Sequence, residues 1–267
     1  MKVTFSIIVV ALNPGKKLNQ TLESILQQTY QDYEIVVKDG GSDDGSVVRM
    51  PENEHIKLFV EKDTGIYDAM NQAVTHAAGD FILFMNCGDV FYHNSVLEQT
   101  AQRITKEGCI DNIVFYGDTY SEKNDVLIVS PPQIIGFSCY RNIPCHQSCF
   151  YAASLCKEKP YNTEYRIRAD YDHFLWCFYK AKAKMIYTET VISSYEGGGY
   201  SESKENRKRD KKEHKQITAL YMSKAELFKY RGIMLCTLAP IRRLFAESSL
   251  FSEIYHRIKE CLYRRKK

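Results

Sequence analysis

The first third of the chain alternates two hydrophobic periods, and this alternation restricts the fold more than any other feature. Val3 to Val10 is a run rich in β-branched residues, the pattern of a strand buried on both faces. Asn13, Pro14 and Gly15 then break the chain, after which Leu18, Leu22, Ile25 and Leu26 recur at helical spacing. Tyr33 to Val37 gives a second strand and Ile56 to Val60 a third. Ile66, Met70, Ala73, Val74 and Ala77 form a second helical period that leads into another strand, Phe81 to Met85. Strands alternating with helices predict an α/β fold: a mostly parallel sheet with helices on both faces and right-handed crossovers.

Two of these strands end in acids. Phe81 to Met85 runs into Asn86, Cys87, Gly88 and Asp89, and Tyr33 to Val37 into Lys38, Asp39, Gly40, Gly41, Ser42, Asp43, Asp44 and Gly45. Ligands of open parallel sheets bind at the carboxyl ends of strands, where carboxylates can hold a hard cation and a sugar or base hydroxyl. Such a pair of acidic turns on one sheet edge predicts a nucleotide-sugar enzyme.

Composition narrows the setting. With 267 residues and 44% hydrophobic content, the chain has enough material for one large domain and an appendage. Nine cysteines, an odd number with no CxxC pair, fit reduced thiols in the cytosol better than a disulfide framework or a zinc site. Met1 to Val10 is too short for a membrane span and lacks a signal-peptide cleavage pattern, and no later stretch reaches about 18 uninterrupted apolar residues. Charge, however, is split. Residues 201 to 267 hold 18 of the 36 Lys and Arg but 8 of the 33 Asp and Glu, an excess of ten positive charges; residues 1 to 200 carry an excess of seven negative ones. The boundary falls near Ser201, giving a catalytic domain over 1–200 and a basic helical tail over 201–267.

That tail has two readings. Lys and Arg clusters recruit nucleic-acid phosphates. From Leu250, however, Phe251, Ile254, Tyr255, Ile258 and Leu262 form an apolar stripe flanked by Arg257, Lys259, Arg264, Arg265, Lys266 and Lys267. This pattern fits a helix lying on an anionic membrane surface, with no nucleic-acid partner, or one packed on the catalytic domain.

Several motifs in order resemble the family 2 glycosyltransferases of the GT-A fold: Ile8 to Asn13, then Gln28, Thr29 and Tyr30, then Asp39 to Gly45. Glu61, Asp63, Gly65 to Asn71, Asn86 to Asp89, and His146 with Gln147 resemble in particular the bacterial branch that builds exopolysaccharide, capsule or O-antigen units. The likeness covers roughly residues 3 to 200. It implies an inverting transferase that takes a sugar from a nucleoside diphosphate donor, UDP-linked, to a glycan or lipid-linked acceptor at the inner face of the plasma membrane. Ala11, Leu12, Asn13 and Asp39 would line the base pocket, with Asp63, Gly65, Tyr67, Asp68 and Asn86 also on the donor side. Locally, Asp39 before two glycines is also an Asx-turn sequence, and Asp63 and Asp68 are also helix-capping residues.

The family's metal motif is a DxD, and Asn86 to Asp89 takes its place with one carboxylate, so Asp89 is the expected ligand of Mn²⁺ or Mg²⁺, completed by the donor's own phosphates. Cys87 beside it reads as a packing residue rather than a soft ligand. Ala169, Asp170, Tyr171 and Asp172 match the position that carries the family's base after a Glu, here Ala169. On a helix over Ile167 to Tyr179, Asp170 and Asp172 point about 200 degrees apart, and Asp170 is the matching residue. An acid there also complements the helix dipole. His146, Gln147 and Gly198 would lie on the acceptor side, Gly198 within a glycine-rich loop over Glu196 to Ser201. Two rivals are a nucleotidyltransferase, for which Leu12 to Lys17 offers a poor phosphate loop, and a noncatalytic nucleotide- or glycan-binding module attached to a membrane or RNA by the tail.

Overall fold

The computed structural model describes residues 2–197 and 206–237. The chain runs β1 (Phe5–Ala11), α1 (Lys17–Leu26), β2 (Tyr33–Asp39), β3 (Ile56–Val60), α2 (Ile66–His76) and β4 (Phe81–Phe84), the order that the hydrophobic periods predict. It continues through β5 (Val90–Phe91), α3 (Val96–Glu107), β6 (Ile113–Ser121), β7 (Val126–Ile128), α4 (Gly136–Arg141), β8 (Cys149–Ala152) and α5 (Ala153–Glu158). The last described elements are α6 (Ala169–Tyr179), β9 (Lys184–Tyr195), α7 (Asn206–Tyr221) and α8 (Lys224–Cys236).

The described strands form one sheet in the order β3-β2-β1-β4-β8-β6-β9-β5, with β7 beside β6. The four strands β3-β2-β1-β4 are parallel to one another, as expected of consecutive strand-helix-strand units. Beyond β4 the direction changes: β8 is antiparallel to both β4 and β6, while β6 and β9 are parallel. Every residue of β4 and β8 is buried, which explains their unbroken apolar runs. Phe5, Phe81, Phe150 and Phe115 form an aromatic seam across β1, β4, β8 and β6, with ring centroids 5.3 to 6.4 Å apart. Each such contact adds about 0.5–1.5 kcal/mol beyond the area it buries, and together they tie the parallel half of the sheet to the mixed half.

The antiparallel run of β8 decides where the site forms. Phe81 pairs with Ala152 and Ile82 with Tyr151, so the start of β8 lies beside the end of β4. The 3-10 turn His146–Ser148, just ahead of β8, is thereby carried to the carboxyl edge where Asn86 to Asp89 emerge. A parallel strand would have put it at the opposite edge.

The basic run after residue 206 forms the outer face of α7, whose inner face is docked. Glu213 and Ile217 are buried there, and the Glu213 carboxylate accepts the backbone N–H groups of Arg166, Ile167 and Arg168 at 3.0 Å each. His214 bonds the Tyr140 carbonyl, and Tyr230 of α8 packs on Phe137 and Tyr140. Gly198 and the apolar stripe from Leu250 to Leu262 lie outside the described residues.

Candidate active site

The loops that follow β1 and β2 are laced together. Gly40 donates its N–H to the Ala11 carbonyl at 2.8 Å, Asn13 donates to Ser42 Oγ at 2.8 Å, and Asp43 donates to Asn13 Oδ1 at 2.9 Å. Asn13 adopts φ 49°, a left-handed conformation that Asn tolerates. Asp39 is 1% exposed, and its carboxylate accepts from the Gly41 and Ser42 N–H groups at 2.9 and 2.7 Å and from Ser42 Oγ. It therefore forms the Asx turn: Oδ2 takes both N–H groups, and Oδ1, with Ser42 Oγ alone, keeps a lone pair for one further donor. A Cβ on Gly40 would stand 2.9 Å from Asp63 Oδ2 and 3.3 Å from Leu12, so Leu12 and Asp63 flank a floor that only glycine leaves open.

The motifs left out Lys38, which has no exposed side-chain surface. Its Nζ donates to the Glu61 carbonyl at 2.5 Å and to Asp63 Oδ2 at 2.9 Å. A charge inside a strand buried on both faces is the signal that would have found it, because such a charge requires a partner. Asp63 Oδ1 in turn accepts the Gly65 N–H at 3.0 Å, one residue ahead of α2. Asp68 accepts from the N–H and hydroxyl of Thr64, a capping role, and lines a second cavity with Gly65 and Tyr67.

Asn86 to Asp89 form a turn in which the Asp89 N–H bonds the Asn86 carbonyl at 3.0 Å. Thr21 of α1 clamps it, donating to the Asp89 carbonyl at 2.8 Å and accepting the Gly88 N–H at 2.9 Å. Gly88 has φ +100°, and a Cβ there would meet Glu196 Oε2 at 2.8 Å, so the turn and the end of β9 approach closely. Glu196 itself pairs with Lys17. Asp89 is nearly buried; that burial raises its pKa, opposed by Gln147, whose Nε2 donates to Asp89 Oδ2 at 2.8 Å, by His146 and by the Glu196 backbone. Burial pushes the Cys87 thiol up to about 12, which leaves it protonated and suits packing rather than metal binding.

Whether this turn fits a divalent cation is decided by its donors. No group of three or more His, Cys, Asp or Glu side chains placed to hold a metal ion occurs among the described residues. Asp89 supplies one hard carboxylate, and the buried Asn86 Oδ1 beside it has no hydrogen-bond partner, an acceptor left for a hydroxyl donor. This set fits a cation whose shell is completed mainly by a diphosphate, and not one held by protein alone.

Asp170 lies in the first turn of α6 and is brought to the same edge by two long-range contacts. Tyr67 of α2 donates its hydroxyl to Asp170 Oδ1 at 3.0 Å, and His146 Nδ1 stands 3.3 Å from Oδ2. Burial acts to raise Asp170, but His146 and Tyr67 outweigh it and hold the carboxyl below the usual carboxylate range. The side chain is 21% exposed and faces a cavity of about 320 Å³. Tyr67, Asn86, His146, Gln147, Arg166, Arg168 and Tyr195 share that cavity, and Asp39 and Asp89 do not. His146 Nε2 also lies 3.1 Å from Asn86 Nδ2; with an amide N–H donating there, Nδ1 carries the proton toward Asp170. Asp172 points the other way, to Lys159 and Tyr221.

The structure thus brings Asn86, Asp89, His146, Gln147, Tyr67 and Asp170 together, and places Ala11 to Asn13, Asp39, Asp63 and Gly65 on the adjoining edge. Arg166, Arg168 and Tyr195 are site residues that motif reading missed, and nothing in their local sequence marks them.

Residues 6–157 match the model of a family described as glycosyl transferase family 2. A PGL/p-HBAD biosynthesis glycosyltransferase from Mycobacterium tuberculosis is 35% identical over 205 residues, covering 74% of this chain and 78% of the relative. An uncharacterized glycosyltransferase from the same species is 30% identical over 177 residues, 64% and 68% of the two chains. Among solved structures, S. aureus TarS in complex with UDP superposes with a TM-score of 0.60 at 18% identity, over 73% of this chain. The chain spans 60% of that TarS structure. A mannosyltransferase from Pyrobaculum calidifontis in complex with GDP-Man and Mn²⁺ gives 0.56 at 13% identity, over 96% of this chain and 84% of that one. At these identities the structures speak to the fold, which is that of the GT-A glycosyltransferases.

Proposed function

The chain belongs to glycosyl transferase family 2, and from that premise we propose that it is an inverting, metal-dependent enzyme. It moves a sugar from a UDP-linked donor to a hydroxyl of a glycan or lipid-linked acceptor, in cell-surface polysaccharide synthesis of the exopolysaccharide, capsule or O-antigen type. The observation that carries this reading is the His146–Gln147 turn, which bonds Asp89 on one side and Asp170 on the other. A diphosphate-facing acid and a hydroxyl-facing acid therefore share one rigid connector. The UDP complex of TarS supports the choice of nucleotide.

In this mechanism the base of the nucleotide rests between Ala11 to Asn13 and the Asp39 turn, and the diphosphate lies toward Asp89. Asp89, with the phosphates, would hold Mn²⁺ or Mg²⁺ there, and the cation would supply positive charge to the leaving group. Asp170, ionised and aimed into the cavity, takes the proton of the acceptor hydroxyl as that oxygen attacks the anomeric carbon and the bond to the diphosphate breaks on the opposite face. His146 and Tyr67 hold Asp170 in place and keep it ionised, at the cost of some basicity.

No helix of the described residues is long and apolar enough to cross a membrane, and peripheral attachment to the cytoplasmic face completes the reading. The test is calorimetry of UDP, GDP, dTDP and CMP compounds with Mn²⁺, followed by nucleoside diphosphate release when an acceptor is added. Selective, metal-dependent UDP binding with acceptor-stimulated release is expected. Binding with no release under any acceptor, or no binding at all, refutes the transferase reading.

A further inference from the structure

We propose that the outer surface of α7 and α8, distinct from the distal stripe at 250–262, is a docking face for an anionic lipid bilayer. The inference deepens the peripheral-attachment part of the functional reading and rests on it only for the role of the docked enzyme. On α8, Phe228 is 82% and Leu235 68% exposed. They lie about 20 degrees apart around the helix at 100 degrees per residue, with Lys224 and Arg231 within about 60 degrees of Phe228, opposite the docked Tyr230. An exposed aromatic and an exposed leucine framed by cations match a helix that rests in a headgroup layer and inserts its apolar residues below it.

Charge names the occupant. Exposed cations on the two helices are Arg207, Lys208, Arg209, Lys211, Lys212 and Lys215 of α7, and Lys224, Lys229 and Arg231 of α8. Their three carboxylates each have a partner: Glu213 is buried and accepts three backbone N–H groups, Asp210 pairs with Arg168, and Glu226 caps Ser223. Residues 238–267 contain eight Lys and Arg against three Asp and Glu, so their charge does not complement this face. Nucleic acid would satisfy the cations but leave Phe228 and Leu235 without a purpose, whereas acyl chains beneath anionic headgroups satisfy both.

Docking of this face also has a consequence for the site. Arg168 and Asp210 line the cavity in front of Asp170, and they bond each other at 2.6 Å. One helix therefore carries cavity wall on its inner side and basic surface on its outer side, which holds the cavity at a fixed offset from a bilayer that carries the acceptor.

The test is co-sedimentation of the full chain with phosphatidylcholine vesicles, with and without phosphatidylglycerol, in the absence of any sugar nucleotide. Failure here leaves transfer to a soluble acceptor intact, and failure of transfer leaves vesicle binding intact. Binding only to the anionic vesicles is expected. Phe228→Ser with Leu235→Ser, which leaves every charge in place, should weaken it roughly tenfold or more, and Lys224→Glu with Arg231→Glu by on the order of fivefold per residue at low salt. These positions are exposed, so an unchanged thermal midpoint verifies the fold. Wild-type binding by both double variants places the contact elsewhere and overturns the proposal. So does equal binding to neutral vesicles, or displacement from vesicles by an RNA oligonucleotide that binds the Phe228→Ser, Leu235→Ser variant as tightly as the wild type.

Discussion

The parallel half of the sheet and the mixed half build their parts of the site in different ways. In the parallel half, Ala11, Asn13, Asp39 and Asp63 are fixed mainly by backbone and short side chains of neighbouring loops, within the consecutive units β1 to β3. In the mixed half, Asp170 is fixed by Tyr67, 103 positions away, and by His146, while the approach to α6 is held by Glu213, more than 40 positions downstream. Local loops make the edge proposed for the donor, and it forms once its strands pair. The side proposed for the acceptor exists only when α2, the β8 turn, α6 and α7 have all docked. This division fits one enzyme whose nucleotide pocket is generic and whose acceptor pocket is particular.

The largest expected effect tests the acceptor half. Asp170→Asn should lower transfer by about 10²- to 10⁴-fold while calorimetry finds donor binding unchanged; an active variant removes Asp170 from the chemistry. Next comes the donor half, where Lys38→Met leaves the Asp63 carboxylate buried without its cation. A loss of about 3–5 kcal/mol in denaturant unfolding is expected, and a near-neutral result would mean that water replaces the pair. Between the halves, Gln147→Leu removes the bond to Asp89 and should cost about 10- to 100-fold in the Mn²⁺ concentration needed for half-maximal donor binding. If that concentration does not move, the turn does not couple the two sides.

The smallest effect is a pH signature. Burial raises Asp89 above its ordinary range, so its ionised form is lost first as pH falls; Asp170, held low by His146 and Tyr67, is still ionised there. Mildly acidic solution should therefore weaken Mn²⁺-dependent donor binding before it weakens the transfer rate of bound donor, and added Mn²⁺, which competes with the proton at Asp89, should restore binding. Loss of the rate at the higher pH, with binding intact, would reverse the assignment of the two carboxylates.

The sequence by itself determined the parallel half: strand and helix periods there depend on residues a few positions apart, and Asn13, Gly40 and Gly65 mark turns that only a few residue types can make. It also determined that acids end β2 and β4, and that Asp170 sits at a helix start. Only the tertiary structure decided that β8 runs antiparallel, a choice that rests on pairing with strands some 35 and 70 positions away and that leaves no local pattern. That choice put His146 and Gln147 between Asp89 and Asp170. It likewise decided that Lys38 closes an internal ion pair and that Glu213, one acid within a basic run, turns inward to hold the approach to α6, because burial and partner are properties of the packed chain.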